Sequence, residues 1–363
     1  MHKGLVALFS NSAYNFVLTI KKKPTMLSRF LLFTLVSSVV IVHSLSSSSP
    51  ASMSALSASG GTSSWTEADL LKEIQATQNN VNNDNQIAAT PRLIHIKAER
   101  IDLESMDKLR ANISDQDDDN DDDSVLVTKI VHFQRHGQGY HNLMGDILRD
   151  VGIKPDIFSK DPAVNPWIRP EIVDSPLTET GKKQCEQQRD IASKLAPEVM
   201  IVSPLLRAVQ TAKLSFVDYV APIDPTSSTT NNDNNIPWIA HEGCREELGW
   251  LTCNKRRPLS TIKIDFPQLQ FLPDDVTDED TYWDPSNFES EISKGNRIYD
   301  FLVNFIAQRE ERNIAVVCHS AWLSHMCNSV IDCGGDTKLT SWFDTSEIRS
   351  MKLTFTTTSP KNL

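Results

Sequence analysis

The stretch K-I-V-H-F-Q-R-H-G-Q-G-Y-H-N, residues 129–142, decides the fold prediction for this chain of 363 residues. Its first half is apolar and β-branched, which predicts a short buried strand, more typical of a parallel sheet than of a sheet edge. Arg135 and His136 follow at the end of the strand, and Gly137 and Gly139 let the next loop fold closely around a small ligand. In an open α/β sheet, ligands bind at the carboxyl ends of the strands. The stretch therefore predicts a ligand site.

The two residues at this strand end suit a phosphorylated ligand. Arg135 offers a planar fork of donors that fits a phosphate. His136 can serve as a nucleophile or as an acid–base group near neutral pH. The alternative is a charged surface turn, which would be the default interpretation of an isolated Arg-His pair. That alternative loses weight because the pair ends a strand and Asn142 follows in the same loop.

A second segment repeats the order strand, turn, helix. Residues 198–203 predict a buried strand with V-M-I-V at its centre, which leads into S-P-L-L-R-A-V-Q-T-A at 203–212. Pro204 suits the first position of a helix, and Arg207 then lies in its first turn. A helix N-terminus favours an anion. The alternative for Arg207 is a place on the helix surface.

A third segment ends in a histidine. Residues 313–320, N-I-A-V-V-C-H-S, give the strongest buried-strand prediction in the chain, and a helix is predicted from 321 to 330. His319 therefore occupies the same kind of strand end as His136, although a lone histidine there is more often structural. The alternating residues 347–357 predict a final edge strand.

A short strand at 238–241 leads into two charged segments. C-R-E-E-L-G, residues 244–249, offers Glu246 or Glu247 as a carboxyl group near the same sheet edge. N-K-R-R-P, residues 254–258, contains three consecutive cations. Such a run is typical of a solvated surface, and the alternative is contact with the rest of an anionic substrate.

The motif R-H-G-x-x-x-x-N, residues 135–142, resembles the signature of the histidine phosphatase (phosphoglycerate mutase-like) superfamily. It is similar to the mutase branch, because the acid phosphatase and phytase branch would have R-H-G-x-R-x-P where this chain has Gly139 and His141. The resemblance covers residues 127–357. The segments S-P-L-L-R, C-R-E-E-L-G and C-N-K-R-R make it closest to the plant and fungal phosphoglycerate mutase-like phosphatases.

This resemblance implies a fold and a domain plan. The fold would be α/β, with three layers and a mainly parallel central sheet that carries helices on both faces. We expect one catalytic domain at residues 125–360, behind a targeting segment at 1–64 and a low-complexity acidic linker at 65–124 that starts with a helix at 65–77.

The resemblance also implies roles for the candidate residues. His136 would attack phosphorus and form a phosphohistidine, His319 would assist, and Glu246 would protonate the leaving group and then activate water. The neighbouring glutamate, Glu247, remains the alternative proton donor. The substrate-binding side chains would be those of Arg135, Asn142, Arg207 and Ser320. No metal and no cofactor is implied, because the guanidinium groups supply the positive charge.

The implied activity is a phosphatase that hydrolyses a phosphomonoester of a small molecule. One alternative is a cofactor-dependent phosphoglycerate mutase, but the E-R-H-Y-G-type and F-x-G-W segments of those enzymes are replaced here by residues 244–249 and 143–153. The other alternative is an inactive phosphate-binding or interaction protein. It is disfavoured because every expected residue type is present.

Composition excludes some other classes. The formal charge is −11, and most of it comes from the aspartate run at 115–123, so the acidity belongs to a tail. The sequence contains no basic stripe of the kind that binds nucleic acid, so no nucleic-acid partner is predicted. It gives no prediction of the oligomeric state. None of the six cysteines forms a C-x-x-C pair, so neither a zinc site nor a disulfide framework is predicted. Buried free thiols are the favoured interpretation.

The N-terminal segment resembles a targeting sequence. Residues 1–60 contain no acidic residue, the apolar run at 30–42 is shorter than the ~20 residues that a membrane span needs, and Ser and Ala follow it. This pattern suggests a secretory signal or a plastid-type transit peptide. The alternative is an N-terminal extension on a cytoplasmic enzyme. Residues 112–114 form a glycosylation sequon, and 224–235 look like a surface insertion.

Overall fold

A computed structural model describes residues 92–106, 108–109, 125–219, 236–272 and 276–357 of the chain. Several sequence predictions lie outside these residues. They are the targeting segment at 1–64, the helix at 65–77, the sequon at 112–114, the aspartate run at 115–123 and the insertion at 224–235.

Within the described residues, seven strands form one sheet. They are β1 (Ile94–Ile101), β2 (Val125–Arg135), β3 (Val199–Val202), β4 (Trp238–His241), β5 (Leu269–Leu272), β6 (Asn313–Cys318) and β7 (Ile348–Thr357). Their spatial order is β1-β7-β2-β6-β3-β4-β5. The neighbouring pairs β2–β6, β6–β3, β3–β4 and β4–β5 are parallel. Strand β7 runs antiparallel to both β1 and β2. The prediction of a mainly parallel sheet is confirmed.

Helices cover both faces of the sheet. The α-helices are α1 (Tyr140–Asp150), α2 (Glu179–Gln187), α3 (Arg189–Ala192), α4 (Leu206–Ser215), α5 (Leu259–Asp265), α6 (Glu291–Asp300), α7 (Ser320–His325) and α8 (Thr337–Thr340). A π-helical turn extends α6 through Phe301–Ile306, and another extends α7 through Met326–Val330. Short 3-10 turns lie at Leu103–Ser105, Pro166–Ile168, Pro170–Ile172, Val217–Tyr219, Glu242–Cys244 and Thr252–Asn254.

Two apolar clusters fill the space between the sheet and its helices. Neighbouring residues of one strand belong to opposite clusters, as the alternation of side chains along a strand requires. In β6, Ile314 and Val316 pack with α6 and α7, while Ala315 and Val317 pack with α3, α4 and α5. The predicted three-layer α/β architecture is therefore confirmed.

Strand β1 corrects two predictions at this end of the sheet. Residues 94–101 were assigned to the linker, but they pair along their whole length with β7. Their buried side chains are Ile96, Ala98 and Ile101, so apolar burial holds the strand in place. The linker prediction is therefore wrong for these residues, and β7 is an interior strand rather than the predicted edge.

Several helix boundaries also differ from the predictions. Helix α1 starts inside the signature stretch, where the side chain of Asn142 accepts the Gly139 amide at 3.0 Å, and it ends at Asp150. Pro204 lies before α4, which starts at Leu206 and not at the proline. Strand β5 and helix α5 were not predicted. Thr178 is the N-cap of α2, since its side chain accepts the Gly181 amide.

Two loops come together beside the sheet edge. The 151–176 loop follows α1, and the 248–258 loop follows β4 and its 3-10 turn. The single hydroxyl proton of Thr252 is shared between the carbonyl oxygens of Trp167 and Arg169, which lie 2.9 Å and 2.6 Å from its Oγ1. Ile172 and Leu251 pack in a small apolar cluster of their own. The two loops therefore form one packed unit over the carboxyl end of the sheet.

All six cysteines lie buried as free thiols, as favoured from the sequence. In the ranges that the structure describes, no helix has both the length and the hydropathy needed to cross a bilayer. In the same ranges, no group of three or more His, Cys, Asp or Glu side chains is placed to hold a metal ion.

Candidate active site

The ends of β2 and β6 place two histidines together. Arg135, the last residue of β2, is paired with Cys318, the last residue of β6. His136 directly follows β2, and His319 directly follows β6. The His136 amide donates to the Cys318 carbonyl at 3.0 Å. Because the parallel strands end at the same level, the two imidazole ring centroids are 5.1 Å apart.

The hydrogen bonds of His136 define its tautomer. Its Nδ1 lies 2.7 Å from the carbonyl oxygen of Gly137, which can only accept, so Nδ1 carries the proton. Its Nε2 lies 3.3 Å from Nε of Arg207, which can only donate. The lone pair of the neutral imidazole is therefore on Nε2, which is the nucleophilic atom of this tautomer.

The environment keeps both histidines neutral. Burial lowers the pKa of His136 well below its usual range, and the charges of Arg207 and Arg135 lower it further. Burial also lowers the pKa of His319, again with help from Arg207. His136 is 1% exposed and His319 is 0% exposed, so water does little to stabilise their charged forms.

Arg207 is a buried cation whose hydrogen-bond partners are neutral, and the charges of Glu246 and Asp174 act on it without outweighing the lowering of its pKa by burial. It lies in the first turn of α4 and is 1% exposed. Its Nη1 donates to the Cys253 carbonyl at 2.6 Å, and its Nη2 donates to Oδ1 of Asn254 at 2.8 Å. The third partner is Nε2 of His136. Within the described part of the chain, no carboxylate forms an ion pair with this guanidinium.

The start of α4 is capped from the 151–176 loop. Asp174 adopts a backbone φ of 43°, in the left-handed region, and its Oδ1 accepts the Leu206 amide at 2.7 Å. Its Oδ2 accepts from Nε of Arg257 at 3.1 Å. Burial raises the pKa of Asp174, while the Leu206 bond and Arg257 oppose that rise. This carboxyl group therefore replaces the cap that the sequence of α4 lacks, and it fixes the turn that carries Arg207.

Arg135 directly precedes His136 at the carboxyl end of β2. Its Nη1 donates to the Phe343 carbonyl at 2.6 Å, and its guanidinium carbon lies 5.9 Å from the ring centroid of Trp342. It is 8% exposed. Its charge contributes to the lowered pKa of His136. Arg135 and Arg207 therefore both act electrostatically on the same imidazole.

His319 has one hydrogen-bonded nitrogen. Its Nε2 lies 2.7 Å from Oγ of Ser203, the residue that follows β3. Its Nδ1 is buried and has no hydrogen-bond partner among the described residues. A buried polar atom without a partner is rare and suggests a place for a ligand atom. The third strand end thus orients His319 through a hydroxyl group.

Glu246 and Glu247 point in different directions, as expected for neighbours. Glu246 accepts the amides of Ala321 and Trp322 at the start of α7, at 3.3 Å and 3.0 Å. Glu247 instead forms an ion pair with Lys294 of α6 at 2.7 Å. Glu246 therefore reaches the same helix start that follows His319, and Glu247 turns away to α6.

The carboxyl group of Glu246 has a perturbed acidity. Burial raises its pKa, and the charge of Glu247 raises it further. Arg207 and the Ala321 amide act in the opposite direction without outweighing burial. A carboxyl group with a raised pKa is suited to donate a proton near neutral pH.

Two predicted binding residues are placed differently. The Asn142 side chain accepts the Gly139 amide and so caps α1. Ser320 is the first residue of α7, directly after His319. No hydrogen bond described for either side chain joins it to the His136 cluster. Their predicted roles in phosphate binding therefore remain predictions.

The sequence analysis missed three polar residues of this cluster. The ring centroid of His141 lies 5.2 Å from that of His136, and its Nδ1 contacts Oγ of Ser175 at 3.0 Å. Ser203 orients His319, and Asn254 holds Arg207. His141 follows His136 by five residues at the start of a helix, which is a signal that could have been used. Ser203 and Asn254 carry no such local signal.

The three cations of 254–258 lie in different environments. Arg256 is buried against Glu242 at 2.8 Å, and Arg257 pairs with Asp174 and Asp265. The solvated-surface interpretation is therefore wrong for the buried Arg256, whereas substrate contact by this segment stays a prediction. Lys255 lies over the ring of Trp283, with 4.2 Å between its Nζ and the ring centroid.

Comparison with known proteins places this geometry in a family. A family profile described as "Histidine phosphatase superfamily (branch 1)" matches residues 170–224. A "Phosphoglycerate mutase-like protein" of Arabidopsis thaliana is 30% identical over 245 residues, which span 61% of this chain and 83% of the relative. The chain belongs to the histidine phosphatase superfamily, in its phosphoglycerate mutase-like branch.

Fungal members of this superfamily are also similar. A "Probable phosphoglycerate mutase" of Saccharomyces cerevisiae is 29% identical over 211 residues, which span 53% of this chain and 68% of the relative. A "Probable phosphatase" of Schizosaccharomyces pombe is 25% identical over 198 residues, which span 53% of this chain and 74% of the relative. Family membership makes this chain a phosphoryl-transfer enzyme of phosphatase or mutase type. The names of these two relatives divide between those two activities.

Proposed function

We propose that this histidine phosphatase superfamily member hydrolyses a phosphomonoester of a small molecule through a phosphohistidine at Nε2 of His136. One observation carries the proposal. The buried guanidinium of Arg207, whose described partners are all neutral, donates to the lone-pair nitrogen of a neutral imidazole. A buried cation without a paired carboxylate favours an anion beside it. The phosphoryl group of the substrate would be that anion, and it would lie next to Nε2 of His136.

In the first step, Nε2 of His136 attacks phosphorus in line with the leaving oxygen. The new N–P bond takes the place of the Arg207–His136 hydrogen bond, so the Nε–H group of Arg207 donates to a phosphoryl oxygen instead, while Nη1 and Nη2 keep their bonds to Cys253 and Asn254. Arg135 adds a second positive charge as negative charge builds up on these oxygens. Nδ1 keeps its bond to Gly137 throughout and holds the ring in its reactive orientation.

Protons are handled by Glu246. Its carboxyl group protonates the leaving alkoxide, and the resulting carboxylate then takes a proton from water, which attacks phosphorus and releases His136. The raised pKa favours the protonated form that the first step requires. His319 lies beside His136 with an unpartnered Nδ1, which suits a hydrogen bond to a phosphoryl oxygen.

Hydrolysis is favoured over mutase activity by the sequence of the loops. The E-R-H-Y-G-type and F-x-G-W segments of cofactor-dependent mutases are absent from the corresponding positions. Phosphate release in the absence of added bisphosphoglycerate separates the two activities. Binding of inorganic phosphate without turnover of any phosphomonoester would support the third alternative, an inactive phosphate-binding protein.

The test compares Glu246→Gln with its matched control Glu247→Gln on two substrates. An alkyl phosphate has a leaving group that needs a proton, and nitrophenyl phosphate has one that does not. We expect Glu246→Gln to impair alkyl phosphate hydrolysis far more than nitrophenyl phosphate hydrolysis, and Glu247→Gln to lack this difference. The opposite result would reverse the two roles. A parent enzyme that forms no phosphohistidine would refute the proposed function.

A further inference from the structure

We propose that Asn254 is a positioning residue for the reaction, which holds the guanidinium of Arg207 in its phosphate-binding orientation without neutralising its charge. The proposal rests on the proposed function and assigns a role to the C-N-K-R-R segment.

The contacts of Asn254 fix which way its amide points. Its Nδ2 donates to the Glu247 carbonyl at 2.9 Å, so Oδ1 faces the other way and accepts from Nη2 of Arg207 at 2.8 Å. Because a carbonyl only accepts and a guanidinium only donates, a flipped amide would break both contacts. The orientation of Asn254 is therefore determined on both sides.

The backbone of Asn254 is held equally firmly. Its amide donates to the Leu251 carbonyl at 3.0 Å, and its carbonyl accepts from Nη2 of Arg245 at 2.6 Å. The side chain is 3% exposed. The Cys253 carbonyl, one residue earlier, accepts from Nη1 of Arg207. The 248–258 loop thus binds Nη1 and Nη2 of Arg207, and Nε remains directed at His136.

The neutral amide is the chemically informative choice at this position. A carboxylate would hold the same N–H group, but it would also form an ion pair with Arg207 and cancel the charge that attracts phosphate. Other buried cations nearby do have such partners, since Arg256 pairs with Glu242 and Lys294 pairs with Glu247. An asparagine positions the guanidinium and keeps its charge available to the ligand.

Two variants separate position from charge. Asn254→Ala removes the acceptor, so the guanidinium gains freedom, and we expect kcat/KM to fall by about 10- to 100-fold, with the acid limb of the pH profile unchanged. Asn254→Asp keeps the acceptor for Arg207 and cancels the charge, and it gives up the donor bond to the Glu247 carbonyl. We expect it to weaken binding of inorganic phosphate more than Asn254→Ala does. It should also move the acid limb to higher pH, because Arg207 then lowers the pKa of His136 less.

Asn165→Ala is the matched control. Asn165 is buried in the neighbouring 151–176 loop, where its Nδ2 donates to the carbonyls of Ile157 and Ser159 and its Oδ1 accepts the Trp167 amide. It has no described contact with Arg207. Its loss should lower the thermal midpoint of the full chain and leave phosphate affinity and the pH profile near those of the parent.

The outcomes are distinct. If Asn254→Ala and Asn254→Asp both keep the parent's kcat/KM and phosphate affinity, or if they lose no more than Asn165→Ala, the positioning role is wrong. Asn254→Asp keeps the side-chain volume but loses the bond to the Glu247 carbonyl, so the thermal midpoints of both variants are measured beside that of Asn165→Ala. If the parent turns over no phosphomonoester, the proposed function fails. The inorganic phosphate affinities of the variants still decide the role of Asn254.

Discussion

Asp280→Asn should destabilise this protein strongly, because one carboxylate holds the segments that frame the site. Its two oxygens accept from Nη1 and Nη2 of Arg245, at 2.8 Å and 2.7 Å. They also accept the amides of Arg256, Tyr282 and Trp283. The Asp280 side chain is 0% exposed and that of Arg245 is 1% exposed. An asparagine would place an NH₂ group against donors and remove the negative charge.

The magnitude follows from the charges that remain. In the parent, the buried cations Arg245 and Arg256 face the carboxylates of Glu242 and Asp280. After the substitution, two cations share one carboxylate. Breaking a buried ion pair by removing one partner costs about 3–5 kcal/mol, because the other charge stays buried without compensation. For a domain of this size, that loss lowers the thermal midpoint by about 6–20 °C.

The effect should depend on pH with a defined sign. Burial raises the pKa of Asp280, but the Arg245 hydrogen bonds and charge outweigh burial, so the folded pKa is lowered. A lowered folded pKa gives stability that is fully present above the unfolded value, about 3.9, and is lost as the pH falls through the folded value. The difference in unfolding free energy between parent and variant should therefore shrink below about pH 4.

Urea unfolding followed by circular dichroism, at pH 7 and in steps down to pH 3, measures the loss of unfolding free energy and its dependence on pH. Asp284→Asn is the control, since this exposed carboxylate of the same segment bonds the Ser286 amide and the Asn287 side chain at the surface. We expect the control to unfold near the parent midpoint. An Asp280→Asn midpoint no lower than that of the control, or a difference that grows in acid, would contradict the ion-pair argument.

Three further predictions concern the site and the domain boundary. His136→Ala should abolish turnover and phosphoenzyme formation with an unchanged circular dichroism spectrum, and near-normal activity would show that His136 is not the nucleophile. Arg207→Lys keeps the charge but loses the planar fork, so kcat/KM should fall by about 10- to 100-fold; parent-like kinetics would place Arg207 outside the phosphate site. Deletion of residues 1–91 should leave the urea midpoint unchanged, whereas deletion of 1–124 removes β1 and should lower it, and equal midpoints would mean that β1 adds no stability.

The strand ends could be predicted from the sequence because their physical cause is local. A parallel strand buried on both faces needs an unbroken apolar run, and 314–318 provides one. The residue after such a run lies at the carboxyl end of the strand, which is where ligands bind in an open α/β sheet. His136 and His319 were therefore found from their positions in the chain, and the register of β2 and β6 brings them together.

Strand β1 was missed because its polarity resembles that of a linker. His95, Lys97 and Glu99 alternate with the apolar Ile96 and Ala98, which is the period of a strand with one buried face. The outward face is charged, and the neighbouring segments are acidic and rich in asparagine. The composition of this region favours a linker, whereas the alternation at residues 94–101 indicates a strand, and the structure agrees with the alternation.

The roles of the arginines could not be separated by sequence, because they depend on partners that are distant in the chain. Arg207, Arg245 and Arg256 are all buried. Arg256 and Arg245 face carboxylates, so their charges are compensated and their function is to hold the loops. Arg207 faces two carbonyl-type oxygens and an imidazole nitrogen, so its charge remains for a ligand. Burial alone would assign all three to the same class; the neutrality of its partners distinguishes the arginine that suits phosphate.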